Sequence, residues 1–218
     1  MTRSLSTLRR ALLATAAFLG AAPIVACFAA SKSGGSAPSG GGLVVVPQGE
    51  AIDATALPVA AGERAFVWSR PGVLRLYVQP TSPLDGWSRH HLELVDEATR
   101  AWEASGVVRL ERVNWPYEAD IRMFWTDRLP QTNPGITLLY RTRSGKLIRA
   151  DVFVNARAAP WNNGTPERVL YGTIAHELGH ALGLAHDPAP GALMHASPLV
   201  TRVTEGDITR LEELVRGG

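Results

Sequence analysis

Cysteine is almost missing from the 218 residues: Cys27 stands alone, so no internal disulfide can form and no multi-cysteine metal site can be built. A strong charge of one sign is missing as well. The formal net charge is +2, and Arg3, Arg9 and Arg10 near the start account for it, because no acidic residue precedes Glu50. With those three set aside, the 22 basic residues fall to 19 against 20 acidic ones, which excludes the electrostatic footprint of a nucleic-acid binder. A long apolar run is missing too. The stretch Ala11–Ala26 is shorter than the ~20 residues a membrane-spanning helix needs, and Thr15 and Pro23 interrupt it. The length allows one domain of ordinary size plus a leader and a linker, and two full domains would be crowded.

What stands at the start is a basic segment ending in Arg9-Arg10, followed by the apolar stretch, the pattern of a secretion signal over residues 1–26. Ile24-Val25-Ala26-Cys27 resembles the lipobox of bacterial lipoproteins, in which the cysteine becomes the acylated first residue. That resemblance implies export from a bacterial cell and a lipid anchor on Cys27, the only membrane attachment expected. Ordinary cleavage after Cys27-Phe28-Ala29 is the alternative. Ser31–Gly42 has the composition of a flexible tether, so residues 27–63 are expected to form a tether and an N-terminal extension ahead of a domain over 64–218. Leu43-Val44-Val45-Val46 and the prolines after it leave residues 43–63 open between an added strand and a short pro-segment.

Histidine is scarce, with six residues, yet three of them fall in His176-Glu177-Leu178-Gly179-His180-Ala181-Leu182-Gly183-Leu184-Ala185-His186. On a helix, residues four apart lie about 40° from each other around the axis, so His176 and His180 project from one face and can share a metal. Glu177 lies beside the pair, placed to act as general base in a metal-assisted hydrolysis. Gly183 is expected to end the helix, because glycine accepts the left-handed backbone of a C-terminal cap. The chain then turns and His186 returns as third ligand. Three imidazoles leave the fourth position of a tetrahedral Zn²⁺ open, which marks a catalytic rather than a structural ion.

These residues match the metzincin signature HExxHxxGxxH with its Met-turn. Met194 stands eight residues past His186, in Gly191-Ala192-Leu193-Met194, and that distance resembles the matrixin branch. The resemblance implies a zinc-dependent endopeptidase in which Met194 floors the site without ligating. It also implies an α+β zincin-like fold: a twisted mixed sheet of about five strands with one antiparallel edge strand, and three helices, one carrying HExxH. Many matrixins are held latent by a propeptide cysteine on the zinc, and no cysteine lies between the leader and the active helix to do this. Asp187 after the third histidine departs from typical matrixins, as does His195-Ala196-Ser197-Pro198-Leu199 where Pro-x-Tyr is common. Asp187 could orient a ligand or sit in solvent; His195 reads as a loop side chain, with a substrate-binding role left open.

The rest of the chain supplies the expected elements. Val73–Val78, Val107–Val113 and Asp120–Trp125 read as strands, and a helix from Ser88 to about Ala104 carries Trp102 on its inner face, with His90 and His91 in solvated or capping places at its start. Ile136–Arg141 and Lys146–Asn155 flank Arg143-Ser144-Gly145, a separation so short that they form an antiparallel hairpin. Ile136–Arg141 is then the edge along which an extended peptide or protein substrate would pair by β-augmentation. Ala150–Asn155 resembles the matrixin segment with a ligand for a second, structural zinc, but Phe153 occupies the histidine's place. That leaves Asp151 and Asn155 as weak calcium candidates in what reads as an ordinary strand. Trp161–Gly164 reads as a turn, Thr165 caps the active helix over about Pro166–Leu182, and Thr204 caps a closing helix. A monomer is expected. Two rival functions stay open: a zinc-holding protein that binds peptides without cutting them, and a hydrolase of a non-protein amide.

Overall fold

The computed structural model describes residues 58–70, 72–130, 133–157 and 165–217. Cys27, the tether and the Trp161–Gly164 turn lie outside the described residues. The elements in chain order are β1 (Val59–Ala60), β2 (Val73–Val78), α1 (His90–Glu103), β3 (Arg109–Val113), a 3-10 turn at Pro116–Glu118, β4 (Ile121–Thr126), β5 (Gly135–Arg141), β6 (Leu147–Asn155), α2 (Pro166–Ala181) and α3 (Glu205–Arg216). They form the expected mixed α+β architecture with three helices.

The strands make one sheet in the order β1-β5-β6-β4-β2-β3. β2 pairs in parallel with β3 and β4, and β4 in parallel with β6. β5 returns antiparallel on β6 through a turn closed by Thr142 N–H on the Lys146 carbonyl at 2.8 Å. Period-two burial assigns the faces: Leu74, Leu76 and Val78 of β2, and Ile121, Met123 and Trp125 of β4, point into the core. α1 and α2 pack against each other and join that core, the two being pinned by the Trp102 indole N–H donating to the Ala175 carbonyl at 2.9 Å. Trp102 is fully buried. An indole costs several kcal/mol to bury unbonded, so this one bond lets the largest side chain of α1 sit between the helices.

The sheet takes in residues upstream of the expected boundary at 64. Val59 and Ala60 pair antiparallel with Leu139 and Leu138, and Ala61 N–H donates to the Thr137 carbonyl at 2.9 Å. β5 is therefore paired on both sides at Leu138 and Leu139 instead of offering a fully open edge, because a short run of small apolar residues satisfies main-chain groups that would otherwise need water. Of the ambiguous stretch 43–63, Val59–Ala60 form a strand, and residues 43–57 lie outside the described residues.

The face of the sheet away from the helices carries a run of rings, Tyr77 to Phe124 at 5.9 Å and Phe124 to Phe153 at 5.6 Å between centroids. Beside it Arg122 grips Asp151 through two bonds of 2.6 and 2.5 Å, and the Asn155 side-chain oxygen accepts from Arg157 N–H at 3.0 Å. Both calcium candidates are occupied by donors of the protein itself. A carboxylate neutralised by a bidentate guanidinium is a poor ligand for a hard cation.

Candidate metal centre and active site

α2 starts where Thr165 accepts from Arg168 N–H and Pro166 occupies the first helical position. It runs through the core to Ala181, with Leu182 as its C-terminal cap, which puts His176, Glu177 and His180 on a rigid element. Gly183 then takes φ +108°, and its carbonyl accepts from Phe66 N–H at 2.8 Å. A Cβ here would stand 2.0 Å from the Phe66 carbonyl oxygen, so both the backbone conformation and the close approach demand glycine. The turn brings His186 back over the helix.

The donor atoms of His176, His180 and His186 lie within 4.8 Å of one another, and His180 Nε2 is 3.2 Å from His186 Nε2. Two nitrogens bound at ~2.05 Å to a tetrahedral zinc would be about 3.3 Å apart, so this spacing fits the ion. The tautomers fit as well. Leu193 O lies 2.7 Å from His176 Nδ1 and Leu184 O lies 2.8 Å from His180 Nδ1. A carbonyl only accepts, so each Nδ1 carries its proton and each Nε2 presents a lone pair toward the common point. Burial pushes His176 down to about 4 and His180 down to about 3, which keeps both rings neutral and able to ligate at neutral pH.

His186 is held from the main chain, its N–H donating to the Gly62 carbonyl at 2.7 Å while Asp187 N–H donates to the Met194 carbonyl at 2.8 Å. Met194 is 1% exposed and lies under the site. A Cβ on Gly179 would fall 2.4 Å from Met194 Sδ and 2.8 Å from Trp102 Cζ2, so the glycine between the two helical histidines is what lets the methionine and the indole both reach the helix.

Glu177 is 6% exposed and stands outside the converging ligand group, against β5. Burial raises it to about 7, and a hydrogen bond from Thr137 pulls the other way. A carboxylate poised near neutrality suits a group that must take and return a proton at that pH.

Residues 68–214, well over half of the chain, match the family model described as Matrixin, peptidase M10. The chain belongs to the matrixin family. Among curated relatives it is similar to matrix metalloproteinase-20 of Homo sapiens, 35% identical over 106 residues that cover 46% of this chain and 22% of that protein. Neutrophil collagenase of Homo sapiens is 31% identical over 106 residues, again 46% and 22%. Matrilysin of Mus musculus is 30% identical over 135 residues, covering 56% of this chain and 50% of that protein. The chain thus spans from about a fifth to half the length of these relatives. Matrixins are metalloproteases that use a catalytic zinc, and in this matrixin the three histidines are able to hold a metal.

Among the described residues, none of the others noted in the sequence joins the metal group. His195 closes its own turn through Ser197, with Nδ1 2.8 Å from the Ser197 carbonyl. His90 bridges Glu93 and Glu167 at 2.8 and 2.7 Å, tying the starts of α1 and α2 together. His91 is buried with Nε2 3.2 Å from the Ala156 carbonyl. Asp187 turns away from the imidazoles to an ion pair with Arg210 of α3, and its own Oδ1 accepts from Ala189 N–H at 2.8 Å. That backbone bond first, and Arg210 second, hold its carboxyl below the usual range.

Two residues of this matrixin's site escaped the sequence reading. Asp207 is fully buried, and its carboxylate accepts from Leu193 N–H (3.0 Å), Met194 N–H (3.1 Å), Thr204 N–H (2.9 Å) and the Thr204 hydroxyl (2.6 Å). It therefore fastens the Met-turn to α3. The available signal was the Thr204-Glu205-Gly206-Asp207 capping box, which gives Asp207 a local reason to exist and so conceals the distant one. Thr137 of β5, 1% exposed, meets the Glu177 carboxylate at 2.7 Å, and no local pattern announces it.

Proposed function

We propose that the protein is a zinc-dependent metalloendopeptidase that hydrolyses peptide bonds of extracytoplasmic proteins. The observation that supports this most is the tautomer-locked pair His176 and His180, converging with His186 beside a buried carboxylate. His176, His180 and His186 would hold the ion through their imidazole nitrogens. When bound, zinc supplies Lewis acidity, polarising a peptide carbonyl and making water a stronger acid. Glu177 takes the proton of the attacking water and delivers it to the departing amine, so one carboxylate serves as base and then as acid. Met194 and Asp207 keep the floor and the loop beneath the ligands in place.

The substrate is read as an extended peptide lying antiparallel along β5, between Ile136 and Arg141. Support comes from β1, which already pairs with Leu138 and Leu139 in that direction, so the strand accepts a main-chain partner there. A substrate occupying the same groups would take the place of β1. Export, with acylation of Cys27, completes the proposal on the strength of the leader alone, and the mass of the mature N-terminus tests it.

The decisive assay is cleavage of a peptide library by the purified protein, abolished by a chelator and restored by zinc. Glu177→Ala is expected to keep zinc and lose hydrolysis by ~10²-fold or more, whereas His180→Ala loses both. An active Glu177→Ala protein would remove the mechanism. A zinc-loaded protein that binds peptides and cuts none would instead be a peptide-binding module, and one that cuts only non-peptide amides would be a different hydrolase.

A further inference from the structure

We propose that Thr137 is a positioning residue for Glu177, and that β5 is thereby the strand that both receives the peptide and aims the base. The proposal rests on the hydrolytic reading above. Gly135, Thr137 and Leu139 are the inward-facing residues of β5, and Thr137 is the only one among them with a polar side chain. Packing alone does not call for its hydroxyl. Valine has the same shape without the cost of burying a polar group, so the oxygen is explained by its partners.

Those partners both belong to Glu177. Thr137 Oγ1 is 2.7 Å from Glu177 Oε2 and 3.0 Å from the Glu177 main-chain carbonyl. A hydroxyl has one proton to give, and the shorter contact is to the carboxylate, where a charge-assisted bond is the stronger. The second acceptor keeps the hydroxyl aligned with the same residue in either orientation.

Gly135 completes the cradle from the other side. A Cβ there would stand 2.6 Å from Glu177 Cγ and 2.8 Å from Oε1, so the glutamate stem lies flat against the strand where a side chain is missing. One residue of β5 gives the stem room and the next inward one fixes its tip. A free glutamate samples three torsions; this one is held at both ends by a single strand. The Thr137 carbonyl points along the sheet toward β1 and accepts the Ala61 N–H, the main-chain bond a bound peptide would inherit. Thr137 thus joins the peptide's backbone to the position of the base.

The test compares Thr137→Val, Thr137→Ser and Glu177→Ala in the zinc-loaded protein, with zinc content measured on every sample. With metal retained, Thr137→Val is expected to lower kcat by ~10–100-fold and to move KM by less than about threefold, because an unheld base misplaces the proton without touching the peptide's bonds. Thr137→Ser is expected to recover kcat to within about threefold of the parent. A melting cycle on the metal-free proteins provides the second readout. The loss of Tm caused by Thr137→Val should shrink in the Glu177→Ala background, where the hydroxyl keeps only the main-chain carbonyl of residue 177 and no carboxylate waits for it. Equal kcat in Thr137→Val and the parent, an equal fall in the valine and serine variants, or an additive melting cycle would each overturn the proposal. If the parent protein cleaves nothing while fully loaded, the reading of its function falls; the melting cycle then still decides whether Thr137 and Glu177 act as a pair.

Discussion

Replacing Asp207 should damage the metal centre although it touches no metal ligand, and the size of the damage can be worked out. Asp207→Ala removes the acceptor of four donors, two of which, Leu193 N–H and Met194 N–H, belong to residues 0 and 1% exposed. Each buried donor left unpaired costs about 1–3 kcal/mol, while the Thr204 groups, nearer the surface, can turn to water. The expected loss is therefore ~3–5 kcal/mol, or roughly 6–20 °C in Tm for a domain of this size. Asp207→Asn separates bonding from charge. The oxygen that serves Leu193 and both Thr204 donors can remain, and only the Met194 N–H must face an amide, so a loss of ~1–2 kcal/mol is expected. The effect reaches the metal through one bond, since the Leu193 carbonyl is the acceptor that fixes the tautomer of His176. Loosening such an outer partner typically costs 10–100-fold in metal affinity. Thermal melts of metal-free and zinc-loaded samples, with a competitive zinc titration, measure both. An alanine variant that melts within ~2 °C of the parent and binds zinc equally well would refute the claim that Asp207 carries the Met-turn.

Metal-free protein should lose stability as pH falls from about 6.5 toward 4 and then 3: unfolded histidines protonate near 6.5, whereas burial keeps His176 and His180 neutral in the fold down to about 4 and 3, so the unfolded state gains protons first. Melting temperatures that stay flat across that window would contradict the burial of the two rings. Proton titration by NMR should place His90 above its ordinary value, because Glu93 and Glu167 stabilise its charged form, and His91 below it, because burial dominates. His90's contribution to stability is accordingly present below about 6.5 and lost as pH rises through its raised folded value. Shortening the chain to begin at Gly62, which keeps the carbonyl that holds His186, should lower KM by about two- to tenfold: the few main-chain bonds of residues 59–61, at ~1 kcal/mol net each, are largely but not wholly offset by the ~1–2 kcal/mol per residue of ordering them. A KM unchanged by the truncation would show that peptides do not use the place of β1.

The parts of this protein legible in its sequence are those whose physics is local. Helix periodicity set His176 and His180 on one face, a glycine with positive φ turned the chain at 183, and a five-residue link made β5 and β6 a hairpin. Each follows from residues close together in the chain. The pairing of Val59–Ala60 with β5 joins residues about 80 positions apart, and Val-Ala-Ala has no pattern of its own to declare a strand. Asp151 is similar: its identity allows a metal ligand, and only the neighbouring strand reveals that Arg122 already holds it.

Asp207 and Thr137 carry this distinction furthest. Both are polar residues whose essential partners lie across the fold, 13–14 and 40 positions away, and both also satisfy an ordinary role where they stand, a capping box for one and a β-branched strand residue for the other. A residue with a sufficient local explanation sends no signal that it has a second one. The candidate metal ligands escape this concealment because three histidines at fixed spacing have no structural use that valine or leucine would not serve better. The chemistry of such a site is therefore readable from the chain, while the groups that aim it become visible only when distant backbone and buried oxygen are seen side by side.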